Sequence, residues 1–195
     1  MQHYFSSDPQ TEHDERTFTV KIDGATAEFT TDAGVFSRAE MDFGSRLLVE
    51  TVYPHVKGEM LDVGCGWGAM SVMMAKLCPG IGITMSDVNK RAVGLALSNA
   101  KVNGIAAKAL VSDGYESIEG KYDVIITNPP IRAGKQTVYR ILDGAKDFLA
   151  PGGKLYLVIR KEQGAPSAMA HLKEVYASVE LLERKKGYWI LSCGM

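Results

Sequence analysis

The chain has 195 residues, 46% hydrophobic and 23% charged, a composition that suits a globular domain and excludes a disordered chain. A net charge of −1 argues against a protein that grips nucleic acid indiscriminately, because such binding draws on excess positive charge. The three cysteines, Cys65, Cys78 and Cys193, form no Cys-x-x-Cys pair. No disulfide framework or metal site is therefore expected, and a reducing cytoplasm fits best. The N-terminal "MQHYFSSDPQTEHDER" is polar and lacks the apolar core of a signal peptide, and no apolar run approaches the length of a membrane span.

The predicted elements begin with a hairpin. "TFTVKI" alternates, Asp23-Gly24 supplies the turn, and "ATAEF" returns. A loop, "TTDAGVFSRAEMDFGS", leads to a helix over 45–53, which ends before Pro54. From Glu59 the texture changes. The apolar runs "EMLDVG", "GIGITMSD", "AKALVSD", "YDVIITN" and "GKLYLVIR" alternate with helical patterns at about 67–77, 89–102, 136–149 and 166–177. Such alternation predicts a parallel sheet covered on both faces. "APGGK" marks a helix stop before its strand, and the tail reads as two strands joined by a tight basic turn. With no repeat or linker, the whole chain, 1–195, reads as a single domain. Residues 1–44 read as an N-terminal hairpin and loop, and 45–195 as the α/β core.

Ligands of open α/β sheets sit at the carboxyl ends of the strands. Asp62, Asp87, Asp113 and Asn128 are expected at that rim, each at the end of a strand. In "LDVGCGWGA", Gly64, Gly66 and Gly68, with Cys65 between the first two, let the backbone approach a ligand closely. The loop also fits a loose dinucleotide pattern. Asp62 separates the two cofactors: a carboxylate suits the cationic amino group and sulfonium of S-adenosylmethionine and would repel a pyrophosphate. Asp87, 87 − 66 = 21 residues past Gly66, can accept ribose hydroxyls together with the adjoining Val88. Its bland alternative is to cap the helix that follows, and the spacing favours the ribose. Asp113, followed by Gly114, either reaches an adenine amino group or makes a plain turn.

"NPP" supplies the chemistry. An amino nitrogen conjugated to a base or amide is a poor nucleophile, and two acceptors that hold its protons orient it and offset its developing charge. The Asn128 side-chain oxygen is one acceptor and the Pro129 carbonyl the other, while Pro129 and Pro130 stiffen the loop and add no competing N–H. Ile131 follows, an aliphatic residue that can pack on a ring face but stacks on it less favourably than an aromatic one. Phe36 is an alternative stacking platform, or a hydrophobe packed under the hairpin. Arg132, Lys135 and Arg140 come next, and Arg160, Lys161 and Arg184 are also basic, which suits a polyanion contacted locally, whereas Lys185 and Lys186 read rather as marking a solvated turn. Trp67 either lines the cofactor pocket or caps a helix. The four histidines share no motif with an acid or cysteine, and none is assigned to catalysis.

"DVGCGWG", "SDVN", "SDGY" and "NPP", in this order, resemble class I S-adenosylmethionine-dependent methyltransferases acting on amino nitrogen. "DAGVFSRAEMDFGSRLL" and "NPPIRAGK" are more specific, and resemble the bacterial small-subunit ribosomal RNA guanine-N2 methyltransferases, in particular their short single-domain relatives. The resemblance runs from about Tyr4 to the end. It implies a Rossmann-like, doubly wound, seven-stranded sheet, mostly parallel with an antiparallel last strand. It further implies S-adenosylmethionine as cofactor, and ribosomal RNA or the small subunit as partner. Larger members carry an additional N-terminal domain. The rival readings are an amide-nitrogen methyltransferase for protein glutamine, an adenine-N6 methyltransferase, an NAD-dependent oxidoreductase and a non-catalytic RNA-binding module. Target nucleotide and oligomeric state are left open.

Overall fold

The structure, a computed structural model, describes residues 12–195; the first part of the polar N-terminal segment, with His3 and Tyr4, lies outside the described residues. The alternating run near the N-terminus becomes β1 (Arg16–Ile22), paired antiparallel with β2 (Ala25–Thr31) across Asp23-Gly24. Both turn residues have positive φ, at 45° and 85°. This two-stranded sheet stays separate from the main one. Its apolar face (Val20, Ile22, Ala27, Phe29) is buried.

The outer edge of β2 is held by side chains of the helix α3 (Lys90–Val102) and its C-cap, Asn103. Asn99 accepts from Thr30 N at 2.8 Å and donates to Thr30 O at 2.9 Å; Asn103 accepts from Glu28 N at 3.0 Å and donates to Glu28 O at 2.6 Å. The match is geometric, since four helical residues rise about 6 Å and two strand residues about 6.6 Å. Asn99 also donates to Trp67 O at 2.8 Å, although it is almost fully buried. Asn99→Ala strands these backbone groups away from water. It is expected to destabilise the protein by about 1–3 kcal/mol, measured by urea unfolding. A loss below about 0.5 kcal/mol, the scale of a surface change, indicates that packing alone holds the hairpin.

The main sheet contains β3 (Glu59–Val63), β4 (Gly82–Asp87), β5 (Lys108–Val111), β6 (Tyr122–Thr127), β7 (Leu149–Arg160), β8 (Ser178–Lys185) and β9 (Tyr188–Gly194) in the order β5-β4-β3-β6-β7-β9-β8. The first five strands of that order run parallel, and β9 pairs antiparallel with both β7 and β8. Helices α1 (Phe43–Val52) and α2 (Ala69–Leu77) pack with α3 and the hairpin over one core; α4 (Lys135–Gly144) and α5 (Ala165–Val175) cover the other. Within β6, Val124 and Ile126 face the first core and Ile125 the second, which is why the strand reads as an unbroken apolar run.

Helix boundaries shift by a few residues from those expected. Asn89 caps α3, accepting from Arg91 N and Ala92 N, and the helix expected to reach 149 gives way to a 3-10 turn over Ala145–Asp147. "APGGK" is not a gap before its strand. It lies inside β7, where the register jumps from Tyr122↔Leu149 to Val124↔Lys154 and the intervening residues bulge out. Strand order reverses at β3, because β4 lies on one side and β6 on the other. That switch point is where an open α/β sheet holds its ligand.

Candidate active site

A cavity of about 470 Å³ opens over the carboxyl ends of β3, β4, β5 and β6, lined among others by Gly64, Gly66, Asp87, Gly114 and Asn128. The glycine turn forms one wall. Gly64 N and Cys65 N both donate to Ser86 O, at 2.8 and 2.9 Å, binding the turn to the end of β4. Gly64 and Gly66 have φ of 75° and 55°, and a Cβ on either meets nothing within 4 Å. Glycine is therefore required by the backbone, and the side it leaves bare is open.

Asp87 braces this wall. Its Oδ2 accepts from Gly66 N and its Oδ1 from Asn89 N, each at 2.9 Å. Burial pushes its carboxyl up, against the pull of those hydrogen bonds and one from Val88. Because Asn89 caps α3, the capping role considered for Asp87 falls away. Cys65 also lines the cavity, and burial holds its thiol well above the usual range, so it stays neutral.

Asn128, one residue beyond β6, lies across from the glycine turn. Its Nδ2 donates to Ser45 Oγ at 3.0 Å and more weakly to Asp42 Oδ1 at 3.4 Å. Asp42 caps α1 by accepting from Ser45 N at 3.1 Å, so one helix N-terminus fixes both tethers. With the donor end of the amide engaged, the acceptor Oδ1 is left for a ligand. Thr127 Oγ1 donates to Val63 O at 2.8 Å and locks the end of β6 to the end of β3. Pro130 has φ −76° and ψ 78°, an inverse γ-turn in which Pro129 O accepts from Ile131 N at 2.9 Å. One lone pair of that carbonyl is thus used and one remains. Asp42 and Ser45 were not singled out in the sequence; the only signal was the Asp-x-x-Ser spacing of a cap before an apolar helix.

Phe36 stands at the mouth, 45% exposed, rather than packed under the hairpin. Its carbonyl accepts from Trp67 Nε1 at 2.9 Å, and the Trp67 ring packs edge-on against Phe18 and Phe29 at 5.5 and 5.0 Å. Trp67 therefore clamps the substrate-side loop to the hairpin. Asn89 and Arg91 hold the same loop through Gly34 O at 3.0 Å and Ala33 O at 2.8 Å.

Most of the residues expected at the site line this cavity, including Val88, Asp113, Pro129, Pro130, Ile131 and Arg132. Asp62, Gly68 and Lys135 do not. Asp62 is fully buried inside β3 and accepts from Ser71 Oγ at 2.8 Å, while its Oδ1 has no hydrogen-bond partner. Burial, with the charge of Asp87 adding to it, pushes its carboxyl up to about 7. The expected exposed counter-charge is therefore a buried acid behind the turn. Gly68 begins α2, and a Cβ there meets Ala96 Cα at 3.1 Å, so its smallness serves helix packing. Lys135 points elsewhere, with Nζ 4.9 Å from the Tyr139 ring centre. Arg140 lines the cavity and pairs with Asp113 Oδ1 at 2.5 Å, which takes up one oxygen of the carboxylate expected to reach adenine. Among the described residues no cluster of His, Cys, Asp and Glu could hold a metal ion, and no helix is long and apolar enough to cross a membrane.

A Rossmann-like sheet whose final strand is inserted antiparallel, with a glycine turn and a braced acid at its switch point, is the architecture of the class I methyltransferases. Comparison with known proteins agrees: the chain belongs to the methyltransferase small domain family, which matches residues 26–192. By family and fold it is an S-adenosylmethionine-dependent methyltransferase. It is 41% identical over 194 residues to the uncharacterized protein YbxB of Bacillus subtilis (strain 168), covering 97% of this chain and 96% of that protein. It is 43% identical over 135 residues to the ribosomal RNA small subunit methyltransferase C of Serratia proteamaculans (strain 568), covering 67% of this chain but only 39% of that protein. Among solved structures, the T. thermophilus 16S rRNA N2 G1207 methyltransferase (RsmC) in complex with AdoMet and guanosine superposes with a TM-score of 0.84 at 27% identity. That match covers 95% of this chain and 52% of that one.

Proposed function

We propose that this protein methylates an exocyclic amino nitrogen, that of guanine N2 in small-subunit ribosomal RNA. The observation that carries the reading is the tethered Asn128 amide, whose acceptor end is left over at the rim of the cavity. The whole chain, 1–195, is read as one methyltransferase domain, with the hairpin and loop of 1–44 on the substrate side and 45–195 as the catalytic core. Ribosomal RNA or the small ribosomal subunit is its partner, in the cytoplasm.

The residues fit the cofactor. The open glycine turn at Gly64 and Gly66 admits a ligand against its backbone, and Cys65, Val88 and Gly114 complete the wall. Asp87, already oriented by the backbone N–H groups of Gly66, Asn89 and Val88, has acceptor capacity left for a ribose hydroxyl. Bound S-adenosylmethionine supplies an electrophilic methyl carbon. The chain's own task is to position the nucleophile. Asn128 Oδ1 and the remaining lone pair of Pro129 O accept the two protons of the target amine. This turns its lone pair outward and stabilises the positive charge that grows on nitrogen. Ile131 and Phe36 flank the base, and Arg132 stands at the mouth for a phosphate.

Calorimetry tests the cofactor half. S-adenosylmethionine is expected to bind and NAD not to, and Asp87→Ala should weaken binding by about 1–3 kcal/mol, the scale of hydrogen bonds to a charged acceptor. The opposite preference refutes this site. For the substrate half, labelled methyl groups transferred to small-subunit rRNA should map to guanine N2. Transfer to a protein glutamine with none to RNA sinks that assignment.

A further inference from the structure

We infer that the corner formed by the end of β7 and the β8–β9 turn docks the phosphate backbone of the RNA strand carrying the target base, an inference that rests on the RNA-substrate reading above. Arg160 lies opposite Tyr188 in the β7–β9 pairing, and Lys185 lies opposite the same Tyr188 in β8–β9. Directly opposed residues project from the same face of a sheet. Here it is the face covered by α1: the Tyr188 ring packs 5.5 Å from Phe43, and a Cβ on Gly44 would meet it at 2.9 Å.

On this face the cations rest on rings. Arg160 Cζ lies 5.2 Å from the Tyr188 ring centre, and Lys186 Nζ 4.8 Å from that of Phe43. A ring face attracts and orients a cation without cancelling its charge. Arg160 also meets Glu162 at 3.2 Å, but with Arg184 set aside the corner still carries four basic residues, Arg160, Lys161, Lys185 and Lys186, against Glu162 and Glu183, in a chain whose net charge is −1. The corner is tied, since Lys161 N donates to Gly187 O at 2.7 Å.

The patch is continuous with the active site. Tyr188 lines the cavity, and Phe43 follows Asp42, whose carboxylate and Ser45 hold Asn128. A strand whose base enters the cavity therefore passes this corner. Arg184 is a built-in control. It stacks on Trp189 at 4.1 Å, and Trp189 packs with the other core, on the opposite face.

The test uses the full chain and a labelled single-stranded RNA oligonucleotide, titrated by fluorescence anisotropy between about 50 and 200 mM salt. The variant combines Arg160→Gln, Lys185→Gln and Lys186→Asn; asparagine suits the positive φ of 49° at Lys186. Three lost phosphate contacts at roughly 0.7 each lower the salt slope by about 2, with affinity at low salt down on the order of tenfold. Arg184→Gln should leave both unchanged, and S-adenosylmethionine affinity, read by calorimetry, should be parental in every variant. If the parent binds RNA and the triple variant binds it identically, or if Arg184→Gln weakens it equally, the docking surface is refuted while the RNA reading stands. A parent that neither binds nor methylates RNA refutes both.

Discussion

Asn128→Ala is expected to lose about 10²–10³ in the rate of methyl transfer, about 2.7–4 kcal/mol, while fold and cofactor affinity stay close to the parent's. The magnitude follows from removing one preorganised hydrogen-bonding group at the point where charge develops on the nucleophile. The site makes this group rigid. Ser45 Oγ holds Nδ2 at 3.0 Å, and Asp42 fixes Ser45 by capping the same helix. Ser45→Ala leaves the acceptor but loosens it, so a smaller loss of about tenfold is expected, the worth of one hydrogen bond. Asn128→Asp keeps an acceptor of similar size but cannot donate, and it sets a carboxylate beside Asp42, now 3.4 Å from Nδ2. Negative charge there favours the cationic ground state as well as the growing charge on nitrogen, and catalysis depends on the difference. Activity should fall between that of the alanine variant and the parent. Single-turnover transfer to RNA measures all three; if every variant works at the parental rate, Asn128 merely ends a strand.

Periodicity carried much of the fold, because core contacts impose it. The apolar runs of β3, β6 and β7 serve two cores at once, and the turns into α2 and α3 at the active rim use glycine and asparagine as caps. The β7 bulge was illegible, since proline and glycine in "APGG" signal a break whether the chain leaves the sheet or only swells from it. At the site, residues adjacent in sequence to the strand ends could be placed. Those that meet them from afar could not: Ser45 and Asp42 reach Asn128 across more than eighty positions, and Asp113 finds Arg140 across twenty-seven. Asp62 shows the other limit. Motif position says that an acid stands before the glycines, but not whether it faces the cavity or the core.

That acid gives the protein a pH signature. Asp62 has a folded pKa of about 7 against an ordinary value of 3.8, so the native state holds a proton that the unfolded chain gives up. Stability contributed by this group is full below pH 4 and is lost as pH rises towards 7, by about 4 kcal/mol at 1.36 kcal/mol per unit. Asp62→Asn keeps an oxygen for the Ser71 hydroxyl and cannot ionise. Urea unfolding of parent and variant at matched pH cancels the groups common to both. The variant should match or trail the parent near pH 4 and exceed it increasingly up to pH 8. Parallel curves would mean that Asp62 ionises freely despite its burial. S-adenosylmethionine provides the second arm. Val63 and Gly64, the next residues, line the cavity, so a bound cation there favours the ionised carboxylate. At saturating cofactor the parent's decline with pH should flatten more than that of Asp62→Asn, which lacks this carboxyl and keeps only the titrations common to both, Asp87 among them.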